Sequence, residues 1–401
     1  MSPEISVNEE AFLNPQMFRE YDIRGLAEVD LTGDIVHRIG QAGGTYARRH
    51  GYREVVIARD VRLSSPRIRD ALADGLLSTG CDVFDLGVVP TPVFYFSLHR
   101  YNWNAGFMIT ASHNPSQFNG FKVALNRTTI YGQEIQRFRE LAQDGPFETG
   151  HGKYVQFDPL ADYLECLIER VRFTRPLRVV FDPGNGTVGI LLSRLLGNYP
   201  VEPTIINEQP DGHFPSHLPD PTIPEHMRDV SRLVLSQQAD LGIGYDGDGD
   251  RIGAIDDQGN MIYGDRLLGL FAGEIIARKP RAKIVFDVKC SRGLIEHITR
   301  LGGTPIMWKT GHSLIKAKMK EEGAEIAGEM SGHMFFSDNY FGYDDAIFAS
   351  LRLMRLVADS GKALSHLASQ IPSYASTPEI RVECPDDSKF EVVRALQGYF
   401  R

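Results

Sequence analysis

Arg178-Val179-Val180-Phe181-Asp182, followed at once by Pro183-Gly184-Asn185-Gly186, decides the fold of this chain. An apolar run rich in β-branched residues, closed by an aspartate and a glycine-rich turn, predicts a short buried strand. It leads into a helix through Leu191, Leu192 and Leu195. The same grammar occurs twice more. Glu54-Val55-Val56-Ile57-Ala58-Arg59-Asp60 precedes a helical rhythm over 66–79, with Ile68, Leu72, Leu76 and Leu77 on one face and Ser64-Ser65-Pro66 as cap and first turn. Lys283-Ile284-Val285-Phe286-Asp287 precedes Ser291-Arg292-Gly293-Leu294-Ile295. Three strand–aspartate–helix units predict an α/β protein built by internal duplication.

At 401 residues the chain exceeds what one hydrophobic core serves. The expected boundaries are 1–155, 156–256 and 257–370, with 371–401 left over. That last segment holds a strand pattern at Glu379-Ile380-Arg381-Val382 and a helix from Asp387 to Gln397, too little for a core of its own, and reads as the start of a fourth domain. A net charge of −9 argues against a nucleic-acid partner, while leaving room for a local basic cleft. Cys81, Cys166, Cys290 and Cys384 are too dispersed for a zinc site or a disulfide framework and read mostly as buried thiols. The acidic start has no apolar core and no run approaches a membrane span, so the expectation is a cytoplasmic enzyme without a membrane partner.

Gly106-Phe107-Met108-Ile109 reads as a buried strand, and Thr110-Ala111-Ser112-His113-Asn114-Pro115 turns out of it. That places Ser112 at a carboxyl edge, where open α/β sheets put their chemistry; alone, the turn leaves nucleophile and cap both open. Asp246-Gly247-Asp248-Gly249-Asp250-Arg251 follows another apolar strand, Ala239 to Gly244. On a straight strand carboxylates two apart sit ~6.6 Å from each other, but the glycines let the chain curl and bring all three inward. Such a cluster needs a cation, and its hard oxygen donors favour Mg²⁺, against the simpler reading of an acidic surface turn. A phosphorylated Ser112 would complete that coordination, with Arg251 and Lys122 neutralising phosphate oxygens.

Gly328-Glu329-Met330-Ser331-Gly332-His333 offers a carboxylate, a hydroxyl and an imidazole suited to a sugar, and Thr310-Gly311-His312-Ser313 is a second polar turn. Both also fit ordinary capped turns. Phe18-Arg19-Glu20-Tyr21-Asp22-Ile23-Arg24-Gly25 presents Arg24 to a phosphate, and the glycines after Asp182 suggest an anion nest, though no nucleotide P-loop. His213 and His217, in a proline-rich loop over 209–224, read as surface histidines rather than metal ligands.

Together these motifs resemble the α-D-phosphohexomutase superfamily, and within it the bacterial bifunctional phosphomannomutase/phosphoglucomutase group. The resemblance implies three tandem α/β domains with mixed sheets around a cleft, plus a fourth domain of which only the start is present. It implies reversible interconversion of hexose 1- and 6-phosphates of mannose and glucose, an isomerase reaction passing through a phosphoserine enzyme and a hexose 1,6-bisphosphate that is both intermediate and activator. By the same resemblance Ser112 carries the phosphoryl group and, with Asp246, Asp248 and Asp250, binds Mg²⁺. Lys122, Arg24, His333 and Arg251 serve the reacting end, and Tyr21, Lys289, His312, Glu329 and Ser331 hold the substrate. Partners would be hexose phosphates, and a monomer is expected. The family's Arg-x-Ser-Asn-Thr-type phosphate loop has no counterpart before Arg401. That absence makes a catalytically weak sugar-phosphate binder one alternative; a glucosamine phosphate mutase and a Mg²⁺-dependent sugar phosphatase with Asp246 as nucleophile are the others.

Overall fold

The structure, a computed structural model, describes residues 13–375, 380, 382–385 and 388–400. Among these residues the strands form three sheets of seven, five and four. The first runs Ile23–Leu26, Phe118–Leu125, Ala105–Ile109, Glu54–Arg59, Asp82–Val88 and Tyr154–Gln156, with Thr128–Thr129 paired to Phe118–Leu125. The second runs Met261–Ile262, Ile252–Ile255, Leu241–Tyr245, Leu177–Asp182 and Val201–Ile205. The third runs Thr304–Trp308, Lys283–Asp287, Ile326–Gly328 and Met334–Phe336.

Each sheet repeats one plan. The strand opened by the recurring apolar run lies between two parallel neighbours, and one of those neighbours folds back into an antiparallel partner. Parallel strands buried on both faces require the near-continuous apolar runs read from the sequence, and Ala105–Ile109 and Leu241–Tyr245 are buried at every position. The three fold-back connections, 110–117, 246–251 and 329–333, are therefore equivalent places in three units. They carry the serine, the acidic run and the glutamate–histidine turn.

The helices form where expected. Ser65–Ser78 buries Ile68, Leu72 and Leu76, one face of a 3.6-residue repeat. Arg292–Arg300 starts at Ser291, whose hydroxyl accepts from the Gly293 N–H at 3.1 Å. Two sheets reach past the boundaries expected from sequence, because their edge strands find partners there. Tyr154–Gln156 pairs with Asp82–Val88 in the first sheet, and Met261–Ile262 pairs with Ile252–Ile255 in the second. In the expected strand near 380, Glu379 and Arg381 lie outside the described residues; the helix after it runs Lys389–Tyr399. Among the described residues no helix is long and apolar enough to cross a membrane. Cys81, Cys166 and Cys290 are buried, and Cys384 is exposed.

Candidate active site

The segment after Ala105–Ile109 leaves the sheet at Thr110, and Ser112 takes a φ of 50°. A left-handed backbone at a serine costs about 1–2 kcal/mol and persists only where its surroundings impose it. Here Arg62 imposes it. Its buried guanidinium donates to the carbonyls of Ser112 (2.8 Å), Asn114 (2.6 Å), Pro115 (2.7 Å) and Phe118 (3.1 Å). Asp60, the aspartate closing the preceding strand, holds Arg62 Nε at 3.0 Å. Arg62 escaped the sequence reading, since its carbonyl partners lie far along the chain.

From the second unit the acidic loop curls as its glycines permit. Asp246, Asp248 and Asp250 are all 0 % exposed, and one oxygen from each lies within 4.8 Å of the others. Ser112 Oγ donates to Asp246 Oδ2 at 2.5 Å, so the serine and the acidic loop meet across two units. Gly247 permits the approach: a Cβ there would stand 2.6 Å from the Ser112 carbonyl oxygen. Asp246 Oδ1 accepts from the N–H groups of Asp250 and Arg251, each at 3.0 Å. With both oxygens engaged beneath the serine, Asp246 is poorly placed as a phosphatase nucleophile. Lys122 Nζ donates to Asp248 at 2.8 Å and to Asp250, and Thr91 Oγ1 to Asp248 at 2.6 Å.

Crowding sets the charges. Burial, then Asp250 and Asp248, push the Asp246 carboxyl well above the usual carboxylate range. Burial also disfavours the Lys122 ammonium, but Asp248 and Asp250 outweigh it and hold it charged. His113 Nδ1 is 3.1 Å from Ser112 Oγ, and burial, with Arg251 and Arg24, pushes this imidazole down to about 2. The group next to the serine is thus a neutral imidazole.

These loops open into a cavity of about 1080 Å³. Ser112, Lys122, Asp250 and Arg251 line one side, Tyr21 and Arg24 another, and Lys289, His312, Glu329, Ser331 and His333 come from the third unit. Asp246 and Asp248 sit beneath it. The structure thus gathers residues singled out from five separate stretches, together with Lys289. Arg24 donates to Asn114 Oδ1 at 2.9 Å, fixing it beside the serine segment. Arg251 Nε donates to His333 Nε2 at 3.0 Å. Glu329 accepts from the Gly311 N–H at 2.6 Å, and burial raises its carboxyl. His312 packs edge-on against Tyr21 at 4.9 Å, and burial, then Lys316, keeps its ring neutral.

Two sequence readings are corrected. The glycines after Asp182 form no anion nest: the N–H groups of Gly184, Asn185, Gly186 and Thr187 already donate to Asp182, Asn207, Pro183 and Gly247. Thr187, which follows them, braces the acidic loop by donating to the Gly247 carbonyl at 3.0 Å, and Gly186 permits that close approach. His213 is a surface histidine as expected, but His217 turns inward, its Nε2 2.9 Å from Asp182 Oδ2.

Comparison with known proteins agrees with this architecture. Residues 15–143, 161–259 and 263–374 match alpha/beta/alpha domains I, II and III of phosphoglucomutase/phosphomannomutase. The phosphomannomutase/phosphoglucomutase of Pseudomonas aeruginosa is 43% identical over 385 residues, covering 96% of this chain and 83% of that protein. The phosphoglucomutase of Neisseria gonorrhoeae is 38% identical over 380 residues, 94% of this chain and 82% of that one. The crystal structure of a phosphoglucomutase/phosphomannomutase family protein from Burkholderia thailandensis superposes with a TM-score of 0.87 at 42% identity, covering 92% of this chain and 82% of that one.

Proposed function

This chain belongs to the phosphoglucomutase/phosphomannomutase family, and on that premise we propose that it interconverts hexose 1-phosphates and hexose 6-phosphates of glucose and mannose. The observation that carries the reading is the 2.5 Å contact between Ser112 Oγ and Asp246, inside a cleft that holds the basic and hydroxyl-binding residues together. Glucosamine phosphate is the weaker choice, since relatives at 43% and 38% identity carry glucose and mannose names.

In this reading Ser112 carries the phosphoryl group. The free hydroxyl of a hexose phosphate attacks the phosphorus; the bond to Ser112 Oγ breaks as the bond to the sugar oxygen forms, the hydroxyl proton passes to a base in the cleft, and an acid there protonates the released Ser112 oxygen. The resulting hexose 1,6-bisphosphate turns over and returns its other phosphoryl group to Ser112. Lys122, Arg24 and His333 are the acid–base groups, and Arg251 balances negative charge on the transferring group. Glu329 and Ser331 grip the sugar hydroxyls, while Tyr21, Lys289 and His312 border the substrate.

The acidic loop fits a divalent cation. Asp248 Oδ1 and Asp250 Oδ1 are buried without a hydrogen-bond partner, and the donors are all carboxylate oxygens, which suits Mg²⁺. Asp246, Asp248 and Asp250, with a Ser112 phosphate oxygen, would hold it. Bound there, Mg²⁺ would draw charge from the phosphoryl group.

Coupled assays with the 1-phosphates of glucose, mannose and glucosamine, with Mg²⁺ and hexose 1,6-bisphosphate present, test the proposal. Peptide mass mapping accompanies them. Turnover of the glucose and mannose esters is expected, with phosphate on Ser112 and a loss of about 10⁴-fold or more in Ser112→Ala. Phosphate on Asp246, or turnover of the glucosamine ester alone, would overturn it.

A further inference from the structure

Behind the cleft a second cavity, of about 710 Å³, lies between the first and third units. Its charged wall is cationic. Arg127, Lys316 and Lys320 face it, and the acidic residue of the lining, Glu325, is already ion-paired with Lys279 at 2.8 Å. Arg127 sits in the two-residue turn between Phe118–Leu125 and Thr128–Thr129, where Asn126 and Arg127 take φ of 52° and 61°. Its Nε donates to Asn104 Oδ1 at 3.1 Å; among the described residues its terminal nitrogens carry no hydrogen bond. Tyr95, 1 % exposed, also lines this space; its buried Oη has no hydrogen-bond partner and feels the charges of Asp344, Lys122, Asp250 and Asp248. His99, in the same wall, registers the field, since burial, then Arg127, Lys316 and Lys320, push its imidazole down to about 4.

Lys316 joins this cavity to the cleft. Its ammonium lies over the Tyr95 ring, 4.3 Å from the centroid, and donates to Asp344 Oδ1 at 3.1 Å. Asp344 Oδ2 stands 3.2 Å from His333 Nδ1 and 3.6 Å from His312 Nδ1. Both histidines line the cleft on their far side.

We propose that this rear cavity binds a small phosphate-bearing molecule through Arg127, Lys316 and Lys320, and that the ligand competes with Asp344 for the Lys316 ammonium, so that its binding is felt at His333 and His312. A guanidinium fork and two ammonium groups match a phosphate dianion in charge and donor geometry. Drawing Lys316 toward an anion loosens its hold on Asp344, whose charge then rests on the two imidazoles. By linkage, a ligand in the cleft that alters those imidazoles must change affinity at the rear by the same factor. The relay rests on the reading of the cleft given above; the binding site itself does not.

Calorimetric titration of the full chain with inorganic pyrophosphate, in EDTA, tests the site. Two binding events are expected. The Arg127→Asn/Lys320→Ala variant, changed at accessible positions and with a residue suited to that turn, weakens one event about tenfold or more and spares the other. The Arg24→Ala/Lys289→Ala variant does the reverse. A single event, lost in the cleft variant and unmoved in the rear one, would overturn the site. In the cleft variant, pyrophosphate reaches only the rear cavity, so the imidazole NMR signals of His312 and His333 should shift along the rear-site saturation curve. Unmoved signals would overturn the relay. Neither measurement depends on turnover, so a failed mutase assay would not be mistaken for failure here.

Discussion

Arg62 is 1 % exposed and makes no contact with the cleft cavity, yet it shapes the segment that carries Ser112. Four carbonyl oxygens converge on its two terminal nitrogens, and its remaining donor faces Asp60. Removing one partner of a buried ion pair leaves the other charge uncompensated, and here it also strips the carbonyls of their donors. Arg62→Ala should therefore lower unfolding stability by about 3–5 kcal/mol in urea denaturation. Arg62→Lys should recover only part of this, since an ammonium cannot span the four carbonyls. A change under ~1 kcal/mol for Arg62→Ala would refute the clamp. Ser112 itself was legible from its turn after a buried strand; Arg62 was not, because its carbonyl partners lie 50 to 56 residues on and carry no side-chain signature.

Among the elements, the aspartates that close the recurring strands are structural anchors. Asp60 fixes Arg62, Asp182 receives Asn207 and His217, and Asp287 receives Thr310 Oγ1 and the Met330 N–H, tying the two polar turns of the third unit together. The repeat was readable; which loop each aspartate would hold was not. A fourth aspartate, Asp345, starts the helix Ala346–Ser360. Its carboxyl accepts from the Phe348 N–H at 2.7 Å and from the hydroxyls of Tyr340 and Tyr163 at 2.6 and 3.0 Å, and burial raises it to about 6. Asp345→Ala loses the cap and orphans two buried hydroxyls, at a cost of about 3 kcal/mol. Asp345→Asn keeps the acceptor oxygen and should retain more than half of that. Equal losses in the two variants would show that the charge, not the cap, matters.

At the scale of the whole molecule the first and third units meet at His99, whose ring stacks on Tyr343 at 5.7 Å and lies 5.4 Å from Phe341. Its imidazole stays neutral in the folded chain down to about 4, while the unfolded chain protonates it near 6.5. Between those values the unfolded state binds more protons, so this contribution is complete above about 6.5 and is lost as the pH falls toward 4. From pH 7 to pH 5 the wild type should lose about 1–2 kcal/mol more unfolding stability than His99→Gln, measured by urea denaturation at both values. Parallel losses would remove His99 from the account. The amino-acid sequence by itself determined the three α/β units, the serine turn, the acidic loop and the glutamate–histidine turn, because strand runs, glycine turns and short motifs are local. Tertiary structure alone decided that these loops occupy equivalent fold-back connections opening into one cleft, that Arg62 and Asp344 stand behind them, and that the turn after Asp182 braces the acidic loop through Thr187. Those outcomes depend on contacts between groups far apart in the chain, and such contacts follow from how sheets pack, not from any pattern a linear reading detects.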